Sequence, residues 1–544
     1  ASNMIEQAAG KSIAANNLVL VTGRGTNNLQ TDVNNLAGYL QMPTATYTGA
    51  LAGGTAPTGT IEVTNDKTLN VSSTIPQNAV AGTVTFTTDG PVFDDTTPLR
   101  PVGLSTTTLG GAIAGSIELT AMAGNLNVNA PIATTNTGGE INLKASAGDV
   151  ALGGDVTTTG DAFIQAAQAI TYSTGTLAAD GAVLTAGTTI GSAANRVQTD
   201  VNTLALVAGG NVYDTNAGAL TVAGRTTNNG SLNVQSTGGT MTVGSVSLAP
   251  TILNNAPGAT ITGLNANGSG AVNLTATGTT SDIVFDATAR SGTGTMTVTA
   301  GQNLVNGLAD LVPGADTSGS ANLDVATSGN VVLNAGNTIG GDGVATIDPL
   351  SVWSGGTLTA TSAGAAPASG TYLDVLDTVG SVTLGGPMFQ IMSGKNIDVT
   401  AVTSTTAGTG NLAVTGPVAA QNAGYVRLAA DRNVGVQSAV STTGAGNVVV
   451  TAGLGGTGSV TQTVAGTITT GTGEINVRAA NGITFGANAT TGGDVVAQAG
   501  GAIASTGGTL TGAGVALQAG TTIGAAGSRI NTARTVIRFI ARKQ

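Results

Sequence analysis

The chain has 544 residues, a formal charge of −11, 84 glycines, 8% charged residues and 3% aromatics. It contains no cysteine and no histidine, which excludes disulfides, thiolate chemistry and histidine-based proton transfer or metal binding. The negative balance argues against a nucleic-acid partner, whose phosphates demand a basic face, and no apolar run is long enough for a membrane-spanning helix.

The first notable stretch is Gly10-Lys11-Ser12, the last three letters of a phosphate-binding loop. The full motif needs a glycine five positions earlier so that backbone N–H groups can wrap a phosphate, and that position is Ile5. Residues 11–23 align without a gap to 175–187, which pairs Lys11 with Gly175 and Ser12 with Thr176. The stretch is therefore a worn repeat copy, and no nucleotide or other cofactor is expected. QTDVNNLA at 30–37 matches QTDVNTLA at 198–205. The chain begins at Ala1 with no charged-then-apolar leader, as a processed or excised product would.

A lengthened segment follows at 38–60. TDGPVFDDTTP at 88–98 then gathers Asp89, Asp94 and Asp95. Three carboxylates can hold a hard cation such as calcium; the alternative is a Pro- and Asp-rich turn on a solvated loop. From residue 115 a short unit recurs, a glycine followed by alternating apolar residues. It reads GSIELTA (115–121), GNLNVNA (124–130), GEINLKA (139–145), GALTVAG (218–224), GSLNVQS (230–236), GAVNLTA (270–276), GTMTVTA (294–300), GNVVLNA (329–335), GSVTLGG (380–386), GNVVVTA (446–452) and GEINVRA (473–479). Period-2 alternation predicts a short strand in each, with Ile, Leu or Val on one face and Asn, Thr or Glu on the other.

These units sit inside a longer repeat. Residues 160–199 align without a gap to 493–532, with 20 identities in 40, and GNVVLNAGNTIG at 329–340 is a weaker copy. Three long repeats result, roughly 1–175, 176–335 and 336–544. One short strand cannot bury its apolar face alone, but coils stacked in a solenoid place each inward side chain on an equivalent neighbour. The expected fold is all-β, a single right-handed parallel β-solenoid of about 20 residues per turn, roughly 27 turns and on the order of 130 Å long.

Further along, the one tryptophan, Trp353, and the carboxylates Asp324, Asp342 and Asp348 are scattered. Catalysis on a polysaccharide needs clustered carboxylates and aromatic platforms, so no enzyme is expected. The segments 38–60, 89–101 and 362–377 interrupt the regular units, and such insertions project from a solenoid and often carry recognition.

The closing stretch, 529–544, holds Arg529, Arg534, Arg538, Arg542 and Lys543, which leaves the rest of the chain at −16 once these five charges are taken from −11. A spacing of four in Arg534, Arg538 and Arg542 suits one face of a helix. The repeat alignment instead favours a strand, with Ile537 and Phe539 on the inward Leu204 and Leu206, and Arg534 and Arg538 on Val201 and Ala205, read as outer positions. A basic end on an acidic rod invites docking to another copy, while the same charges also protect an edge strand from pairing. The chain opens and closes in mid-module, and uncapped solenoid ends add to other chains, which predicts a head-to-tail contact and a filament. Its candidate residues are Ile5, Leu18 and Leu20 at one end and Arg534, Arg538, Phe539, Arg542 and Lys543 at the other.

The serial GNLxVxA and GxVxLxAGxxI units, with the module at 190–222, resemble the filamentous-haemagglutinin-like exoproteins of Gram-negative bacteria. The resemblance implies a right-handed parallel β-helix, an extracellular or cell-surface location, and adhesion or a structural role. The expected function is a non-enzymatic subunit of a surface fibre whose partner is itself. The alternatives are an adhesin stalk that binds surface glycans or a neighbouring cell through projecting loops, and a carbohydrate-active β-helix enzyme.

Overall fold

The computed structural model describes residues 5, 7–22, 29–42, 61–71, 81–87, 90–98, 104–108, 115–134, 138–251, 253, 256–308, 323–341, 347–377, 381–384, 391–403, 410–533 and 537–541; at 21–22, 39–42, 81–87, 90–98, 104–108, 377, 381–382, 403 and 537–541 it describes the backbone alone. The chain forms two compact units, Ala1–Gly238 with Ser245–Thr262, and Gly239–Gly244 with Gly263–Gln544. Each is all-β, with no helix among the described residues, and each is a parallel β-solenoid in which a strand pairs with its counterparts one coil before and one coil after.

The alternation explains why. In the first unit Ile117, Ile141, Ala162, Ala182, Leu204 and Val222 are successive register partners. All six are fully buried, and their even spacing along the chain matches the expected coil. Two positions on, Leu119, Leu143, Ile164, Leu184 and Leu206 form a second buried column. In the second unit Val448, Ile475, Val495 and Val515 stack in the same way. Each buried aliphatic side chain contributes about 1.5–3 kcal/mol relative to exposure, and in a solenoid every one finds its packing partner in the adjacent coil. All eleven glycine-led units read from the sequence are strands, each starting just after its glycine.

The long repeat is a repeat of conformation. The bridge Ile170↔Ile190 recurs in the C-terminal copy as Ile503↔Ile523. The glycines that follow, Gly191 and Gly524, both adopt positive φ, 63° and 69°, and both donate to the isoleucine carbonyl one coil back at 2.8 Å. Only glycine adopts that conformation without a Cβ penalty. The N-terminal copy holds the same register: Ile13↔Thr31 in Ile13–Thr22 on Leu29–Met42 corresponds to Leu177↔Thr199 in Leu177–Ala186 on Val197–Ala208. Corners are equally tight elsewhere. A Cβ on Gly500 would run into the carbonyl oxygen of Ala480. Gly500→Ala is therefore expected to destabilise the chain by about 1–3 kcal/mol, read as a lower urea midpoint.

Not every inward position is apolar. Asn65 and Asn216 are fully buried at matching corners. Asn216 accepts from the Val201 N–H at 2.9 Å and donates to the Val201 and Gly218 carbonyls at 3.2 and 3.1 Å. Asn65 repeats this on Val33 and Lys67, at 2.9, 3.0 and 2.9 Å. The corner needs the coil to turn, which breaks the backbone ladder, and a side-chain amide mimics the missing strand.

Three expectations are corrected. Residues 90–98 are not a turn: Gly90–Pro98 is a strand paired antiparallel with Ala81–Thr87. Within 362–377, only the stretch before residue 370 departs from the coil. Gly370–Asp377 is a strand of the parallel sheet, in which Thr371, Leu373 and Val375 take alternate buried positions. Val201 is not an outer position either, being buried at the Asn216 corner.

Candidate functional site

Of the residues singled out for self-assembly, Leu18, Leu20, Arg538 and Phe539 fall on two strands. Ile13–Thr22 pairs along one edge with Leu29–Met42. Leu20 is buried on the inward side, Leu18 is half-buried, and Ile5 is a half-buried bridge residue. Gln7 ties the preceding segment to the next coil, its side chain donating to the Gln30 carbonyl at 3.0 Å and accepting from the Gln30 N–H at 2.7 Å. Lys11 and Ser12 lie exposed after a turn closed by the Lys11 N–H on the Ala8 carbonyl.

At the other end the residues form a strand, Ile537–Ala541, and not a helix. Its register places Ile537, Phe539 and Ala541 on Val515, Leu517 and Ala519, and Arg538 on Ala516. This is the register of Leu204 and Leu206 on Ala182 and Leu184. Among the described residues both of these strands are paired along one edge only. Arg534, Arg542 and Lys543 lie outside the described residues.

Of the carboxylates considered for a cation, Asp94 and Asp95 are on the antiparallel strand, Asp94 opposite Thr83, and Asp89 lies outside the described residues. Among the described residues no three His, Cys, Asp or Glu side chains are grouped to hold a metal. Asp324 accepts from the Ser351 N–H and Asp348 from Asn306, and Asp342 is outside the described residues.

A polar cluster that the sequence does not announce lies on the strands at 370–377 and 396–403. Tyr372 is buried, donates to the Ala368 and Ser369 carbonyls at 3.1 and 3.3 Å, and accepts from Asn396 at 3.1 Å. Asp398 pairs with Arg427 at 2.7 Å, yet burial outweighs the cation and raises its pKa. Burial also raises Tyr372 and Tyr425. With both phenols held protonated, the cluster holds the loop at 363–369 against the coil and offers no activated nucleophile.

A strap lies over the first unit. Ser245–Leu248 and Ala259–Thr262 pair antiparallel and lie on the outside of the first unit. There they cover an outward column of register partners, Phe163, Val183, Ala205 and Ala223. Val246, Leu253, Ala256 and Ile261 pack onto it. The strap is anchored by the buried Glu140, whose carboxylate accepts from the Thr251 N–H at 2.7 Å, the Thr251 hydroxyl at 2.6 Å and the Leu253 N–H at 3.1 Å. Burial, then Asp180 and Glu140, raise the pKa of the neighbouring Asp161. Three donors to one carboxylate make a strong anchor. Glu140→Ala is expected to free the strap, seen as loss of amide-exchange protection at 246–261 while the coils beneath keep theirs. The signal in the sequence is the outward Phe163, an aromatic where the alternation calls for a polar residue.

No protein-family model, curated protein or solved structure matches the chain.

Proposed function

We propose that the chain is a non-enzymatic structural subunit of an extracellular or cell-surface fibre, which grows by stacking Ile537–Ala541 of one copy on Ile13–Thr22 of the next. The observation that supports this most is the shared register of the two strands with interior ones. Ile537–Ala541 matches the end of Val197–Ala208, which in the interior is covered by Leu220–Thr226. Ile13–Thr22 matches Leu177–Ala186, which in the interior follows Ala162–Ala166. Each edge therefore has a strand of this same alternating type as its natural occupant. Stacking would set Ile537, Phe539 and Ala541 over Leu18, Leu20 and Thr22, in the parallel arrangement that covers the half-buried Leu18 and satisfies both rows of backbone groups. The contact is heterologous and does not close, so it propagates.

The acidic body and basic C-terminal segment favour this polarity over end-to-like-end pairing. The resemblance to filamentous-haemagglutinin-like exoproteins agrees with an exported, fibrous role. Sedimentation velocity over a range of concentrations tests the reading. A series of growing species is expected for the natural chain and its loss for Leu18→Asp, with unchanged circular dichroism. A single monomeric species at every concentration counts against it.

A further inference from the structure

We propose that the outward face formed by Glu474, Asn476, Val496 and Ala516 is a docking site for a strap of another polypeptide, a hairpin-like segment with apolar inward side chains and hydroxyl and backbone N–H donors. This goes beyond end-to-end stacking and does not depend on it.

The internal repeat places a second copy of the strap-bearing face in the second unit. Ile475–Ala479 is the counterpart of Ile141–Ala145, and Val495–Ala499 of Ala162–Ala166. Glu474 therefore stands where Glu140 stands, Asn476 where Asn142 stands, Val496 where Phe163 stands and Ala516 where Val183 stands. The supporting acid is also repeated, since Asp494 accepts from the Gly514 N–H at 2.8 Å as Asp161 does from Gly181. In the first unit this constellation is covered, with Phe163 and Val183 at 0 and 1% exposure. In the second, Glu474, Val496 and Ala516 are only half-buried, and Glu474 accepts from its neighbour Asn476 at 2.8 Å. An acceptor that takes three strap donors in one copy is thus presented to solvent in the other, beside an outward column that remains apolar.

The differences between the copies say what the occupant looks like. Valine and alanine replace phenylalanine and valine, so the face is shallower in side chain and leaves room for a bulkier inward residue. An open cleft of about 510 Å³ adjoins it, lined by Arg478, Gln498 and Gln518. The next register position after Ala516 is Arg538, where the first unit has Ala205. Arg478 calls for a carboxylate on the strap, which the chain's own strap lacks; charge complementarity therefore points to a foreign, acidic strap.

The test uses the full chain and two labelled peptides, SVSLAPTILNNAPGATIT, the sequence of 245–262, and an acidic form of it carrying Leu253→Phe and Asn255→Asp, followed by fluorescence anisotropy. Saturable binding is expected, tighter for the acidic peptide and weakened at least tenfold by Glu474→Gln and by Val496→Asp. Thermal melting checks that both variants fold, and a photo-crosslinking residue at peptide position 253 should label residues 475–518. The proposal is overturned if neither peptide binds saturably, if both variants bind as the natural chain does, or if the crosslink falls on 163–223.

Discussion

Raising the pH from about 4.5 to about 8 is expected to destabilise the fold, and Asp214→Asn to remove most of that dependence. Asp214 points into the coil between Val212 and Asn216 and is fully buried. Burial pushes its carboxyl up from 3.8 to about 7, against the opposing effects of Thr199, whose hydroxyl lies 3.2 Å from both carboxylate oxygens, and of Arg196. Arg196 does not form an ion pair with it. The guanidinium is committed to the Thr215 hydroxyl at 2.7 Å, the Asp214 and Asn233 carbonyls, and the face of Tyr213. The folded chain therefore keeps a proton that the unfolded chain releases near 3.8. Stability from this group is complete below that value, falls as pH rises, and is lost above about 7. A difference of this size corresponds to about 4 kcal/mol. Urea midpoints of the natural chain and Asp214→Asn should agree near pH 4 and diverge by pH 8, with the asparagine form the more stable. Coincident midpoints at pH 8 would contradict the assignment.

The other large effect is expected at the asparagine corners. Asn216→Leu keeps the volume but leaves the buried Val201 N–H and carbonyl without partners, at a cost of about 2–6 kcal/mol. Asn127 provides the comparison. It lies on the outer face and donates to Asn70 at 2.8 Å in a ladder open to water, so Asn127→Leu should cost about 1 kcal/mol or less. Equal losses at both positions would mean that asparagine acts here through exposed ladders and not through the buried corner. The same substitution at Asn65 should behave like Asn216, because its contacts on Val33 copy those on Val201.

The inward columns were legible because alternation is a local property: Leu204 and Leu206 declare themselves, and the long repeat carries their register to Val515 and Leu517. Even the strand over Ile537–Ala541 was readable, since alignment outweighed the helical spacing of the arginines. What alternation cannot convey is the role of a residue that violates it. Asn216 and Asp214 look like outward polar letters displaced by one. Phe163 looks like noise until Ser245–Thr262 is seen to cover it. The strand pair Ala81–Thr87 and Gly90–Pro98 was hidden for the opposite reason, because its prolines and aspartates read as turn chemistry while its backbone pairs as a ladder. Glu140 and Glu474 carry the same motif, GEIN, and only the strap distinguishes them.

Electron microscopy of the purified chain beside a version lacking residues 534–544 tests end-to-end stacking most directly. Long unbranched filaments from the full chain, absent after the truncation, are the predicted result. Discrete single particles in both samples, at concentrations well above those used for sedimentation, would contradict it.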